Sequence, residues 1–199
     1  MLPQDPARLS AMAARAGQPV PRFREAYRRR RLEFDRGLSA DEYWTGILRE
    51  CGAVVTADAL AWLDREDTLS WSVVNEPVLR WSQELRRAGL RVAILSNMPA
   101  SKAEFFRTDE RFSWIRSFDP VVFSCEPRVV KPEAGIYLLC LERLGIPPQE
   151  CLFLDDTPEN LQGAAAVGIP GYHFSTAERA AVDLRERGLP VESLAQGRS

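Results

Sequence analysis

The sequence predicts an α/β protein in two parts: a small helical segment over residues 1–76, then a parallel sheet with helices on both faces over 77–199. Three observations predict it. Residues 1–76 carry helix starts and helical apolar spacing but no apolar strand. From Pro77 onward, short apolar runs alternate with helical stretches, the pattern of crossover units in a parallel sheet. Polar and charged residues stand at or near the ends of those runs, and parallel topology collects such ends at one rim, where ligands bind.

Taken in order, Asp5-Pro6 caps and opens a helix running to Gly17. Pro21 opens a second, with Phe23, Tyr27 and Phe34 along one side and Gly37 at its end. Ser39-Ala40-Asp41-Glu42 is a capping box for a third, which carries Tyr43, Ile47 and Leu48. Thr56 caps a fourth, with Leu60 and Leu63 one turn apart, and TLSWSVVNEP (68–77) loses the helical period and reads as a connector. Pro77 opens a helix with Val78, Trp81, Leu85 and Ala88 at spacings of three and four, closed by Gly89. RVAILSN (91–97), PVVFSCE (120–126), CLFLDD (151–156) and GYHFS (171–175) read as strands. Between them, Pro132 to Gly145 is a helix with Ile136, Leu139 and Cys140 on one side, and 157–167 is a helix capped by Thr157 and ended by Gly168.

Composition sets outer bounds. With 199 residues, 45% hydrophobic and 27% charged, the chain is of ordinary globular type. A net charge of −2 gives no global field toward nucleic acid or acidic membranes. No apolar run approaches the ~20 residues of a membrane span, and the N-terminus is a poor secretory signal. Cys51, Cys125, Cys140 and Cys151 show no metal-ligand spacing and read as reduced thiols of a cytoplasmic protein. Arg28–Arg31, flanked by Glu25, Glu33 and Asp35, reads as a solvated helix surface. His173 is the only histidine and no GxSxG elbow is present, which argues against a serine-histidine mechanism. The five tryptophans read as packing residues, and Tyr43 and Trp44 are candidates to line a substrate pocket. Oligomeric state stays open.

The rim is where the chemistry collects. Ser96 offers a hydroxyl and Asn97 an amide, Lys131 a positive charge, and Asp155 and Asp156 oxygen ligands for a hard cation. Mg²⁺ takes few protein carboxylates together with phosphate oxygens and water. A donor pair, a lysine and a metal-binding acid describe a phosphate-handling site. Each element alone is commonly structural; Asp-Asp before Thr-Pro-Glu, for instance, also suits helix N-terminal electrostatics. The ordered set at three successive rim positions is what gives them weight.

On these residues the chain resembles the haloacid dehalogenase (HAD)-like superfamily of hydrolases: VAILSNMP looks like its second motif, VVKPEAGIY its third and CLFLDDTPENLQGAAAVGI its fourth. The resemblance implies a Rossmann-like core with the N-terminal helices as its cap. It implies that Ser96 and Asn97 hold the phosphate, that Lys131 stabilises it and the nucleophile, and that Asp156 ligates Mg²⁺. Asp155 would be an auxiliary ligand or a partner that orients the others, and the paired acids would be reconciled by the cation.

The family's first motif, an apolar strand ending in the nucleophilic aspartate, is not among these residues. That residue forms an aspartyl-phosphate during turnover. LEFDRGLS (32–39) imitates it, with Asp35 in the nucleophile's place, but it follows four arginines and fits a helix end. The missing strand would lie in mid-sheet between 91–97 and 151–156. Leaving it out unpairs buried backbone groups at ~1–3 kcal/mol each, against a domain stability of ~5–15 kcal/mol. One expectation is that the natural protein starts upstream of Met1. The other is that the two neighbouring strands pair directly, giving a silent relative.

Two functions follow: a Mg²⁺-dependent phosphatase of a small phosphorylated metabolite, or a catalytically inactive HAD-like binding protein. A phosphoacceptor receiver domain would place its acid pair at the first strand, before the lysine, and does not fit. Dehalogenation needs no Mg²⁺, so the acid pair favours phosphate chemistry. Neither function needs nucleic acid or a membrane as partner.

Overall fold

A computed structural model describes residues 4–195. In chain order the elements are α1 (Pro6–Arg15), α2 (Val20–Arg29), α3 (Arg31–Asp35), α4 (Ala40–Glu50), α5 (Ala57–Ser70), α6 (Glu76–Arg87), β1 (Ile94–Ser96), α7 (Ala100–Thr108), β2 (Val121–Phe123) and α8 (Ala134–Leu144). Then come β3 (Phe153–Asp155), α9 (Pro158–Ala166), β4 (Gly171–His173), α10 (Ala177–Glu186) and α11 (Glu192–Ala195). They form two compact units. One takes in the residues up to Val73 with Ser96–Ile115 and Phe123–Val130, the other Val74–Leu95, Arg116–Val122 and the residues from Lys131 on.

In the first unit local chemistry sets the helix starts. The Asp5 side chain accepts from the Ala7 N–H at 2.8 Å, Ser39 and Glu42 close the capping box, and the Thr56 hydroxyl accepts from the Ala59 N–H at 3.2 Å. The core is aromatic. Phe34 stacks on Tyr43 with ring centroids 4.1 Å apart, and Trp44 meets Tyr43 edge-on at 4.8 Å. Tyr43 and Trp44 are fully buried core residues, which bears out packing for Trp44 and removes both as candidates to line a pocket. Their polar ends are satisfied inside, by the Tyr27 carbonyl at 2.5 Å and by Asp64 at 3.2 Å.

Two helices depart from expectation. The second breaks at Arg30, whose φ of −110° leaves the helix, and Arg30 pairs with Glu33 at 3.0 Å. The fourth runs on to Ser70 because its last turns bury polar groups, which carry no apolar period. Asp67 is wholly buried and accepts from the Tyr27 hydroxyl at 2.6 Å, from Lys102 at 2.9 Å and from Arg31 at 3.2 Å. Arg31 therefore turns inward, unlike its exposed neighbours Arg28 and Arg29. Burial raises the Asp67 carboxyl, but Lys102 and Arg31 bring it below the usual carboxylate range. Burial, with Arg31 beside it, pulls Lys102 down to about 8.

In the second unit α6, α10 and α11 pack around Trp81, Leu85, Ala180, Leu184 and Leu194. The carboxylate of Glu84 accepts from the Glu192 and Ser193 amides at 3.1 and 2.8 Å, which ties the start of α11 to α6. β3 and β4 pair in parallel, Phe153 with Gly171, Leu154 with Tyr172 and Asp155 with His173, and α9 packs on both.

β1 pairs with β2 in the same direction: Ile94 N–H donates to Pro120 C=O and Ser124 N–H to Ser96 C=O, each at 3.0 Å. Among the described residues the sheets are β1-β2 and β3-β4, so strand 91–97 does not pair with strand 151–156. The direct pairing expected of a silent relative is thereby excluded, and the sheet stands as two parallel pairs on either side of the position expected for the missing central strand. Val92 to Leu95 and Leu152 to Leu154 are only half-buried, although strands of this type are usually covered on both faces. Among the described residues no helix is long and apolar enough to cross a membrane.

Removing Asp67 strands the buried ammonium of Lys102 and leaves Arg31 ion-paired with Asp35 alone, so Asp67→Ala should lose about 3–5 kcal/mol in urea denaturation. Lys102 supplies a pH test. Between pH 8 and the ordinary lysine value of ~10.4 the unfolded chain holds a proton that the folded protein has released. Stability relative to Lys102→Met should therefore climb with pH across that window; a difference that is flat or falls contradicts the assignment.

Candidate active site

The site in the second unit is built on one carboxylate. Asp155 is the last residue of β3, and its side chain is 6% exposed. One oxygen, Oδ2, accepts from Lys131 Nζ at 2.6 Å. The other, Oδ1, accepts from the Thr157 N–H and from the Asn160 amide, each at 2.9 Å. A carboxylate this far from water needs such partners, since desolvation otherwise outweighs the attraction of one cation. The sequence reading gave Thr157 as the cap of α9; its side chain makes no capping bond, and Asp155 takes the Thr157 amide instead.

Lys131 reaches Asp155 from the segment before α8, with its ammonium 5.4 Å from the centre of the Phe153 ring. Tyr137 of α8 meets that ring edge-on at 5.5 Å and donates its hydroxyl to the Asn160 carbonyl at 2.7 Å. Burial, then the charge of Asp155, pushes the Tyr137 phenol well above its ordinary value. Gly163 lets α9 approach this segment: a Cβ there would lie 2.4 Å from the Pro132 carbonyl oxygen.

Asp156 behaves differently from its neighbour. It is exposed, its carboxylate meets the Thr157 hydroxyl only at 3.4 Å, and its backbone carbonyl lies 3.2 Å from His173 Nε2. So Lys131 already offsets one of the paired acids, and the other faces solvent. Among the described residues no group of three or more His, Cys, Asp or Glu could hold a metal. One open carboxylate suits a Mg²⁺ that takes its other ligands from phosphate and water, and does not suit a closed protein cage.

Ser96 and Asn97 belong to the first unit, at the end of β1 and before α7. The Ser96 carbonyl accepts from the Ser124 N–H at 3.0 Å, and the next amide but one, Met98 N–H, donates to Ser124 Oγ at 2.8 Å. The structure brings Lys131 and Asp155 into contact and sets Asp156 next to them; Ser96 and Asn97 are fixed within their own unit. Asp35, the imitation nucleophile, ends helix α3, and its carboxylate is held by Arg31 at 3.0 Å. Sequence reasoning missed Asn160, Phe153 and Tyr137. For Asn160 a signal existed: an amide five residues after Asp155, in the first turn of a helix that starts there.

Residues 6–168 match the haloacid dehalogenase-like hydrolase family. The chain belongs to that family. It is 38% identical over 110 residues to mouse acyl-CoA dehydrogenase family member 10, a match covering 54% of this chain and 10% of that protein. It is 37% identical over 68 residues to flavin mononucleotide hydrolase 1 of Arabidopsis thaliana, covering 34% and 28%. The chain thus matches less than a third of either relative's length. A HAD family enzyme of Bacteroides thetaiotaomicron, solved with magnesium and inorganic phosphate, shares the fold at a TM-score of 0.69 and 21% identity. That likeness covers 87% of this chain and 88% of the other. The α/β fold and HAD membership expected from the motifs are borne out.

Gly163→Ala sets two effects against each other. Helix propensity gains ~1 kcal/mol, while forcing a methyl against Pro132 costs ~1–3 kcal/mol. The clash is with backbone, so the variant should be less stable by up to about 2 kcal/mol in urea denaturation; a more stable variant would show that α9 packs loosely.

Proposed function

We propose that this HAD-like hydrolase is a Mg²⁺-dependent phosphomonoesterase of a small phosphorylated metabolite, with 1–76 as cap and 77–199 as core. The observation that carries this is the division between the two rim acids: Asp155 is held by Lys131, and Asp156 is open to solvent. In this reading Asp156 and, through its neighbourhood, Asp155 form the metal side of the site. A bound Mg²⁺ would offset charge on the phosphoryl oxygens. Lys131 would add a second positive charge there, held in direction by Asp155. Ser96 and Asn97 would donate hydrogen bonds to phosphate oxygens. The relatives support the substrate class, since one is named as a hydrolase of flavin mononucleotide, itself a small phosphate ester.

The nucleophilic aspartate would stand on a strand that the described residues do not include. The half-buried, unpaired sides of β1 and β3 are where such a strand would find hydrogen-bond partners. The second reading is a binding protein that keeps the lysine and acids and performs no turnover; Asp35, the one acid in a motif-like setting, ends a helix and is held by Arg31.

Calorimetry with inorganic phosphate tests what both readings share. Binding should require Mg²⁺ and weaken at least tenfold in Asp156→Ala, a loss of about 1.4 kcal/mol. Binding that ignores Mg²⁺ or the substitution would sink the site. Turnover of an aryl phosphate by a form carrying a strand aspartate separates the two readings: hydrolysis selects the esterase, and its absence the binding protein.

A further inference from the structure

We propose that Ser124 is a positioning residue for the Ser96–Asn97 segment, holding it from both sides and tying it to the end of helix α3. Ser124 follows β2, is fully buried, and lies in the same unit as its partners. Its backbone N–H donates to the Ser96 carbonyl at 3.0 Å. Its hydroxyl accepts from the Met98 N–H at 2.8 Å and donates to the Asp35 carbonyl at 2.5 Å. One residue therefore fixes the groups on either side of Asn97.

The geometry leaves little freedom. The hydroxyl has one proton and directs it to Asp35, so the oxygen's lone pairs face Met98. The Met98 carbonyl lies at 3.5 Å from the same oxygen, at the edge of hydrogen-bonding range. Met98 and Asp35 are themselves buried, so without the hydroxyl their backbone groups would be unpaired away from water. Two peptide planes, Ser96–Asn97 and Asn97–Met98, are thus pinned, and they set the direction of the Asn97 Cα–Cβ bond.

The link to Asp35 gives the residue a second role. Asp35 is the last residue of α3, and its carboxylate is already engaged with Arg31, which also reaches the buried Asp67. Ser124 thus connects the Ser96–Asn97 turn to the charged core of the helical part through backbone atoms. Asp35 matters here for its carbonyl, which no motif reveals.

The functional half of the proposal rests on the reading that Ser96 and Asn97 hold a phosphoryl group, so the test has two arms. Ser124→Ala removes only the hydroxyl oxygen. In the full chain, hydrogen exchange at the Met98 amide should speed up about tenfold in that variant, the scale of one lost buried hydrogen bond. Amides of α10, in the other unit, should keep their rates. Ser124→Thr should restore the slow rate; if its extra methyl lowers the melting temperature, Ser124→Cys replaces it as the graded variant, with an intermediate rate. Unchanged Met98 exchange in Ser124→Ala overturns the positioning role. In the second arm, inorganic phosphate with Mg²⁺ should bind five- to tenfold more weakly to Ser124→Ala and within twofold of normal to the restoring variant. Faster exchange with unchanged phosphate affinity overturns the link to the ligand. Wild-type protein that binds no phosphate overturns the phosphate reading instead, and the exchange arm still decides the positioning role.

Discussion

A carboxylate taken out of water at the end of a strand dictates most of the second unit's local design. Asp155 cannot stay charged there without donors, and each donor it recruits fixes a different element. Lys131 fixes the segment that enters α8. The Thr157 amide fixes the turn out of β3, and Asn160 fixes the first turn of α9. Tyr137 closes the circuit from α8 back to Asn160, and Gly163 permits the close approach on which the arrangement depends. The acid orients three pieces of chain that have no covalent reason to meet.

The pairing also answers why two acids can stand side by side. Their repulsion is not left to a cation alone. Asp155 is offset inside the protein by Lys131, and Asp156 turns its charge to solvent, where water screens it. The two neighbours thus do different work from the same strand end. The inner one spends its oxygens on the fold, and the outer one keeps a carboxylate available to a ligand. Had both been buried, the desolvation penalty would have been doubled with a single ammonium to offset it.

Local chemistry made much of this legible in advance. Caps at Asp5, Ser39 and Thr56 are readable because a hydroxyl or carboxylate before an apolar period has few other uses. The strand ends and their charged residues were readable because parallel strands are short and apolar. What failed to show was interior polarity. Thr68 and Ser70 look like the start of a connector because burial of polar side chains leaves no hydrophobic rhythm, yet with Asp67 they end a helix beside an ion network. The partners of the Tyr43 and Trp44 polar tips were likewise hidden, since both are satisfied inside by groups that no apolar rhythm marks. Ser124 was hidden because its partner, the Asp35 carbonyl, lies far off in sequence and in the backbone, where periodicity carries no trace.

The two strand pairs add a constraint of their own. Each residue of a parallel strand points its N–H and C=O groups to one neighbour, and the next residue points to the other side. In β1 the groups of Ile94 and Ser96 face β2, and in β3 those of Phe153 and Asp155 face β4. The intervening residues Leu95 and Leu154 therefore direct their backbone groups away from their partner strands. Leu152 and Leu154 rest on the apolar cluster of α6 and α10, as does Val92 just before β1. Exposed edges of this apolar kind invite a further strand. Under the function proposed above, a strand docked on those edges would bring its carboxylate to the side of the site where Lys131 and Asp155 already pair.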